Sequence, residues 1–92
     1  MTSKAVEFDA SAPWHLDSQV SLRDEEFGAL AYHHGNRRLV FLKSRALVDL
    51  VRSLENFDSA TAAVAEFAPP LERERYEAAL ASLARSEVLS VH

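Results

Sequence analysis

The chain has 92 residues, 48% of them apolar, and ten Lys and Arg set against fourteen Asp and Glu give a net charge of −4. One domain of this size buries roughly two thirds of its unfolded surface, enough for a modest core and no deep cleft. The acidic balance disfavours a nucleic-acid binder, the lack of cysteine excludes disulfides, iron–sulfur clusters and thiolate zinc sites, and no run approaches the ~20 apolar residues that span a bilayer.

Residues 1–13 are small and polar and end at Pro13, which reads as a flexible N-terminal arm before an ordered domain over 14–92. The start carries one Lys and no apolar run, so it is not a secretory signal, and a cytoplasmic location is expected. Trp14 opens the ordered part as a hydrophobic plug. Gln19 to Arg23 alternates, with Val20 and Leu22 on one face, and predicts a half-buried strand. Asp24-Glu25-Glu26 then reads as a charged turn. Phe27 to His34 and Arg37 to Lys43 flank Gly35-Asn36, a hairpin signal in which Gly supplies the positive φ of a two-residue turn. That turn pairs His34 with Arg37, Tyr32 with Leu39 and Leu30 with Phe41. One hairpin face carries Leu30, Tyr32, Leu39 and Phe41, and this bulky face is expected to pack on the helices. Ala29, Ala31, His33, Arg38, Val40 and Leu42 form the smaller face.

After Lys43 the period becomes helical. Ser44 is a good N-cap, and Leu47, Leu50, Val51 and Leu54 form one core stripe. Asn56 to Ser59 breaks this helix. Asp58 or Ser59 caps a second helix, Ala60 to Phe67, which ends at Ala68-Pro69-Pro70. A third runs over about 71–86 with Tyr76, Ala79, Leu80 and Leu83 on a stripe. Val88, Leu89 and Val91 close the chain as an extended apolar tail. The fold class is thus α+β: a three-stranded antiparallel sheet followed by three helices, of the winged-helix kind.

Chemistry finds little to work with. There is no Gly-x-Ser-x-Gly elbow and no Gly-rich phosphate cradle. His33 and His34 are adjacent on a strand and point to opposite faces, so they do not chelate one metal together. No cofactor and no metal is expected. A DNA-binding winged helix is the rival reading, but its third helix should be basic, whereas Arg73, Arg75 and Arg85 face Glu72, Glu74, Glu77 and Glu87. There remains the third strand at the edge of the meander. Its free N–H and C=O row can accept another strand, with Arg37, Arg38 and Lys43 around it and Val40 and Leu42 offering shallow apolar contact. The same charges would also serve to protect an edge from aggregation.

The segment from Trp14 to Arg23, and above all Phe27-Gly-Ala-Leu-Ala-Tyr-His-His-Gly-Asn-Arg-Arg-Leu-Val-Phe-Leu-Lys-Ser-Arg, resembles the mycofactocin-system peptide chaperones, relatives of the pyrroloquinoline-quinone biosynthesis chaperone. Both are recognition elements for ribosomally made, modified peptides. The resemblance covers roughly residues 14–91 and makes 14–92 a peptide-recognition domain. It implies a non-catalytic protein that takes the leader of a precursor peptide as a fourth strand on its third strand. The cleft is bounded by the third helix, and a radical S-adenosylmethionine enzyme that modifies the precursor's C-terminal Val-Tyr is the second partner. The leaders of this family tend to be acidic, which suits the basic residues. On this sequence, strand addition falls on Arg38, Leu39, Val40, Phe41, Leu42 and Lys43, with Arg37 beside them. The helical wall falls on Arg73, Tyr76, Glu77 and Leu80, of which Tyr76 and Leu80 also fit the core stripe. No nucleic-acid or membrane partner is implied, and an unfilled edge allows a homodimer through the third strand.

Overall fold

The structure, a computed structural model, describes residues 8–91; residues 1–7 of the expected arm, and His92, lie outside the described residues. The strands are β1 (Trp14–Leu16), β2 (Val20–Glu25), β3 (Gly28–His33), β4 (Leu39–Leu42) and β5 (Leu89–Val91), and the helices are α1 (Arg45–Ser53), α2 (Ala60–Phe67) and α3 (Arg73–Arg85). Strands β2, β3 and β4 form the expected antiparallel meander. The extended tail is β5, and it pairs antiparallel with β1 in a second, two-stranded sheet that joins the two ends of the domain. Residues 8–13 are not loose. Thr61 and Ala60 donate their N–H groups to Ala10 O and Ala12 O at 2.9 and 3.1 Å, and Phe8 packs on Trp14.

Local signals set the helix starts. The Ser44 and Ser59 hydroxyls accept from Leu47 N and Ala62 N, each at 3.0 Å, and satisfy orphan donors of the first turns of α1 and α2. A turn of 3-10 helix, Pro70–Glu72, precedes α3. Helix α3 ends in a Schellman motif: Val88 N and Glu87 N donate to Leu83 O and Ala84 O, with Glu87 in the left-handed conformation.

Two turns differ from expectation. Strand β2 runs on through Asp24 and Glu25, and the first turn is Glu26-Phe27, because Glu25 pairs with Gly28. Asp24 sits on the helix side of the sheet, 3.5 Å from Arg45 and 3.2 Å from Arg52, so those carboxylates are strand residues. The second hairpin closes through four residues, 34–37, with Arg37 N donating to His33 O. The left-handed residue is Arg37 (φ 65°), not Gly35. Gly35 serves instead by leaving room: a Cβ there would stand 2.9 Å from the His33 ring. His33 Nδ1 accepts the N–H groups of Gly35 and Asn36 at 3.0 and 3.1 Å, so this buried side chain builds the turn from below. The register survives, with Tyr32 opposite Leu39 and Leu30 opposite Phe41, because two-residue and four-residue loops centred on the same dipeptide give the same pairing.

The face assignment is reversed. Ala29, Ala31 and Leu42 are fully buried and His33 nearly so, while Leu39 and Phe41 are 56% and 55% exposed. The small face meets the helices because α1 lies directly on β3 and, with Leu54 just after it, already supplies the volume, through Val48, Leu50 and Val51. Alanines opposite such a stripe let helix and sheet approach closely; Tyr and Phe there would overfill the space.

Asp17 ties the two sheets together. Ser90 Oγ donates to one carboxylate oxygen and Gln19 N to the other, and these two bonds, the Ser90 hydroxyl first, hold its pKa below the ordinary 3.8. A lowered folded-state pKa stabilises above the unfolded value and is lost as pH falls through the folded one. Unfolding free energy, from urea titrations between about pH 3 and 5, should therefore decline below about pH 4, and Asp17→Asn should flatten that decline.

Candidate functional site

In the meander β4 is an edge strand, and hydrogen-bond geometry says which of its groups are free. His33 N donates to Arg38 O at 2.9 Å, so 33 and 38 are a hydrogen-bonded pair. In an antiparallel ladder such pairs alternate, so Val40 with Ala31 and Leu42 with Ala29 follow. The other side of β3 agrees: His34 N donates to Gln19 O at 2.7 Å, which sends Tyr32 and Leu30 toward β2. The N–H and C=O groups of Leu39 and Phe41 therefore point away from the sheet. Val40 and Leu42 are committed to β3.

Cations mark the ends of this free row. Arg37, Arg38 and Lys43 are exposed, and among the described residues none of them forms an ion pair, whereas Arg23, Arg45, Arg52 and Arg75 all do. Arg37 also holds a left-handed backbone that Gly or Asn would adopt at less cost, about 1 kcal/mol for most residues. Glu87, the other left-handed non-glycine residue among those described, serves as the Schellman cap of α3, whereas Arg37 takes this conformation in the loop that leads into β4.

Past the end of β4 lies a groove of about 220 Å³ lined by Lys43, Ser44, Leu47, Arg75, Tyr76 and Ala79. Two larger hollows, of about 370 and 310 Å³, lie around Asp17, one toward α1 and the other toward β5, and neither touches β4. Size is thus a poor guide here; the smaller groove is the one of the three that continues the free edge. Of the α3 residues singled out in the sequence, Tyr76 lines this groove. Arg73 turns to α2, where its guanidinium donates to Ala65 O at 3.4 Å. Glu77 is half-buried and not part of the lining, and Leu80 is fully buried in the core behind it. Sequence reasoning misses Leu47, Arg75 and Ala79 as wall residues. Ala79 sits one turn from Tyr76 on the same face, and that spacing is the available signal.

The outer face of the sheet, away from the helices, is graded. Ser21, Arg23 and Glu25 make its β2 row polar, and Arg23 and Glu25 pair at 2.8 Å. Tyr32 and Leu30 on β3 are half-buried, and Leu39 and Phe41 on β4 are exposed. The Phe27 ring adjoins Phe41, with centroids 5.8 Å apart. Among the described residues no group of three or more His, Cys, Asp or Glu could hold a metal ion, and no helix is long and apolar enough to cross a membrane.

Comparison with known proteins matches residues 13–90 to the peptide chaperone MftB family. Similar sequences include the peptide chaperone MftB of Mycobacterium ulcerans, 43% identical over 83 residues, which cover 89% of this chain and 76% of that one. That of Mycobacterium tuberculosis is 39% identical over 84 residues, covering 90% and 77%. That of Mycolicibacterium smegmatis is 44% identical over 62 residues, 67% of this chain and 61% of that protein's own length. In fold, the chain resembles a lasso peptide synthetase B1 solved complexed with the leader peptide, at a TM-score of 0.61 and 16% identity, covering 88% of this chain and all of that one.

Proposed function

The chain belongs to the MftB peptide chaperone family, and on that premise we propose that it binds the leader of a ribosomally made precursor peptide and presents it to a radical S-adenosylmethionine maturase in mycofactocin-type cofactor biosynthesis. The observation that carries this reading is the N–H and C=O row of Leu39 and Phe41, which no described strand pairs, running into a groove walled by α3. A leader adds to it as a fourth strand. Main-chain pairing supplies affinity, and the groove between Leu47, Tyr76 and Ala79 takes side chains that point toward the helices. Arg37, Arg38 and Lys43 steer an acidic segment onto the edge and speed its capture.

The protein performs no reaction in this scheme. With no cysteine it does not carry the maturase's clusters, and its contribution is to raise the effective concentration of the precursor's reactive end at the enzyme. A cytoplasmic location goes with both partners. The rival reading as a DNA-binding winged helix gains no observation: Arg75 on α3 is paired with Glu72 at 3.8 Å, and the helix carries both signs throughout.

Isothermal titration of the protein with a synthetic precursor leader tests the proposal. Saturable one-to-one binding is expected, weakening as salt rises because the cations at the edge are exposed. Absence of any heat at high micromolar peptide would refute it.

A further inference from the structure

The leader-binding reading leaves the outer face of the sheet unused, and that face gathers three exposed large apolar side chains, while the other two among the described residues, Leu71 in the turn before α3 and Val91 on β5, stand apart from it. Leu39, Phe41 and Phe27 are each about half exposed, at 56%, 55% and 45%. Their placement is not random over the face. The β2 row is polar and internally paired, the β3 row is half-buried, and the bare apolar groups stand on the strand with the free backbone row. An occupant that covered the middle of the sheet would have favoured apolar residues on β2 as well as the Leu30 and Tyr32 of β3, and β2 has none on this face. One that arrives at the edge needs them on β4.

From this gradient we infer that the leader is read on both faces of the extended sheet, and that its outward side chains pack on Leu39 and Phe41. The inference rests on strand addition at β4. In an added strand successive side chains alternate between faces. Residues opposite Val40 and Leu42 point toward the helices and the groove. Residues opposite Leu39 and Phe41 lie on the outer face, with Cβ atoms about 5 Å from theirs. Because β4 is four residues long, bounded by the left-handed Arg37 and the Ser44 cap, only two outward positions are read. The recognised segment therefore carries two bulky apolar residues at positions i and i+2, facing away from the helices, in addition to whatever fills the groove. A leader apolar on its inward side alone is discriminated against, because it leaves Leu39 and Phe41 in water.

The test combines protein and peptide variants. Leu39→Ser and Phe41→Ser change exposed side chains, and circular dichroism should show both folded. Titrated with the synthetic leader, each is expected to bind at least tenfold more weakly than the wild type. An alanine scan of the leader should show two sensitive positions, spaced by two, whose effects largely vanish on the Phe41→Ser or Leu39→Ser background. If the wild type binds and both variants bind equally well, the two-faced reading is overturned while leader binding stands. The same holds if the variants only convert a dimer to a monomer in sedimentation without changing leader affinity, since the face is then a contact between copies. If the wild type itself does not bind, both readings fall together.

Discussion

Phe41→Pro is expected to leave the protein folded and to abolish detectable leader binding, whereas Val40→Pro, one residue away, is expected to unfold the hairpin. Proline lacks the N–H and fills its direction with a ring. At Phe41 that direction is outward, so no bond within the sheet is lost, and edge positions with a solvent-facing N–H are where strands tolerate proline. The stability change should stay near 1 kcal/mol, from the aromatic contact with Phe27 and the narrowed φ. An incoming strand loses its donor at the centre of the pairing and meets the ring. Phe41→Ala separates the two effects: it removes the side chain and keeps the donor, so it should bind more weakly than wild type but more tightly than Phe41→Pro. At Val40 the N–H is turned toward Ala31, which is fully buried. Proline there strands a buried carbonyl and opens the β3–β4 ladder at a cost of about 3 kcal/mol or more. Titration and circular dichroism on the three variants give the readout. Loss of binding without loss of structure at Val40, or the reverse pattern at Phe41, would mean that the free row has been assigned to the wrong residues.

Gly28→Ala is expected to be the most destabilising conservative change in the sheet. Gly28 has φ 151°, and a Cβ on it would stand 2.1 Å from Leu42 O and 2.9 Å from Ser44 N. All of these neighbours are main chain, so nothing can rotate aside. The strain falls where β4 ends and α1 begins, at the Ser44 cap, and Gly28 O also accepts from Arg45 at 3.1 Å. A loss of about 3 kcal/mol, the upper part of the usual range for single substitutions, lowers Tm by roughly 12–24 °C in a domain of this size. Gly35→Ala should cost less, because its Cβ would meet the edge of the His33 ring, a side chain, rather than backbone. A thermal melt that ranks the two the other way would contradict this account of the β3–β4 junction.

Much of this domain is legible in its residues taken a few at a time. Ser44 and Ser59 announce two helix starts, Pro69-Pro70 a boundary, and the Gly35-Asn36 pair a hairpin whose register is right although its loop has four residues and its left-handed position falls on Arg37. Each of these depends on groups within a few residues of one another, so the sequence alone determines them. The order of a three-strand meander makes β4 an edge and places Arg37, Arg38 and Lys43 around it. Three things are decided only by tertiary structure. One is the pairing of β1 with β5 across the length of the chain, which no local pattern encodes. Another is the α3 face: Tyr76 reaches the groove, Leu80 fills the core and Arg73 turns to α2, because the position of the neighbouring helix selects among residues that the helical period treats alike. The last is which side of the hairpin is inside. Alternation divides the residues into two faces but does not say which is buried. That choice follows from the combined volume of helix and sheet at their closest approach, and with α1 bringing its own valines and leucines, only the alanine face fits beneath it.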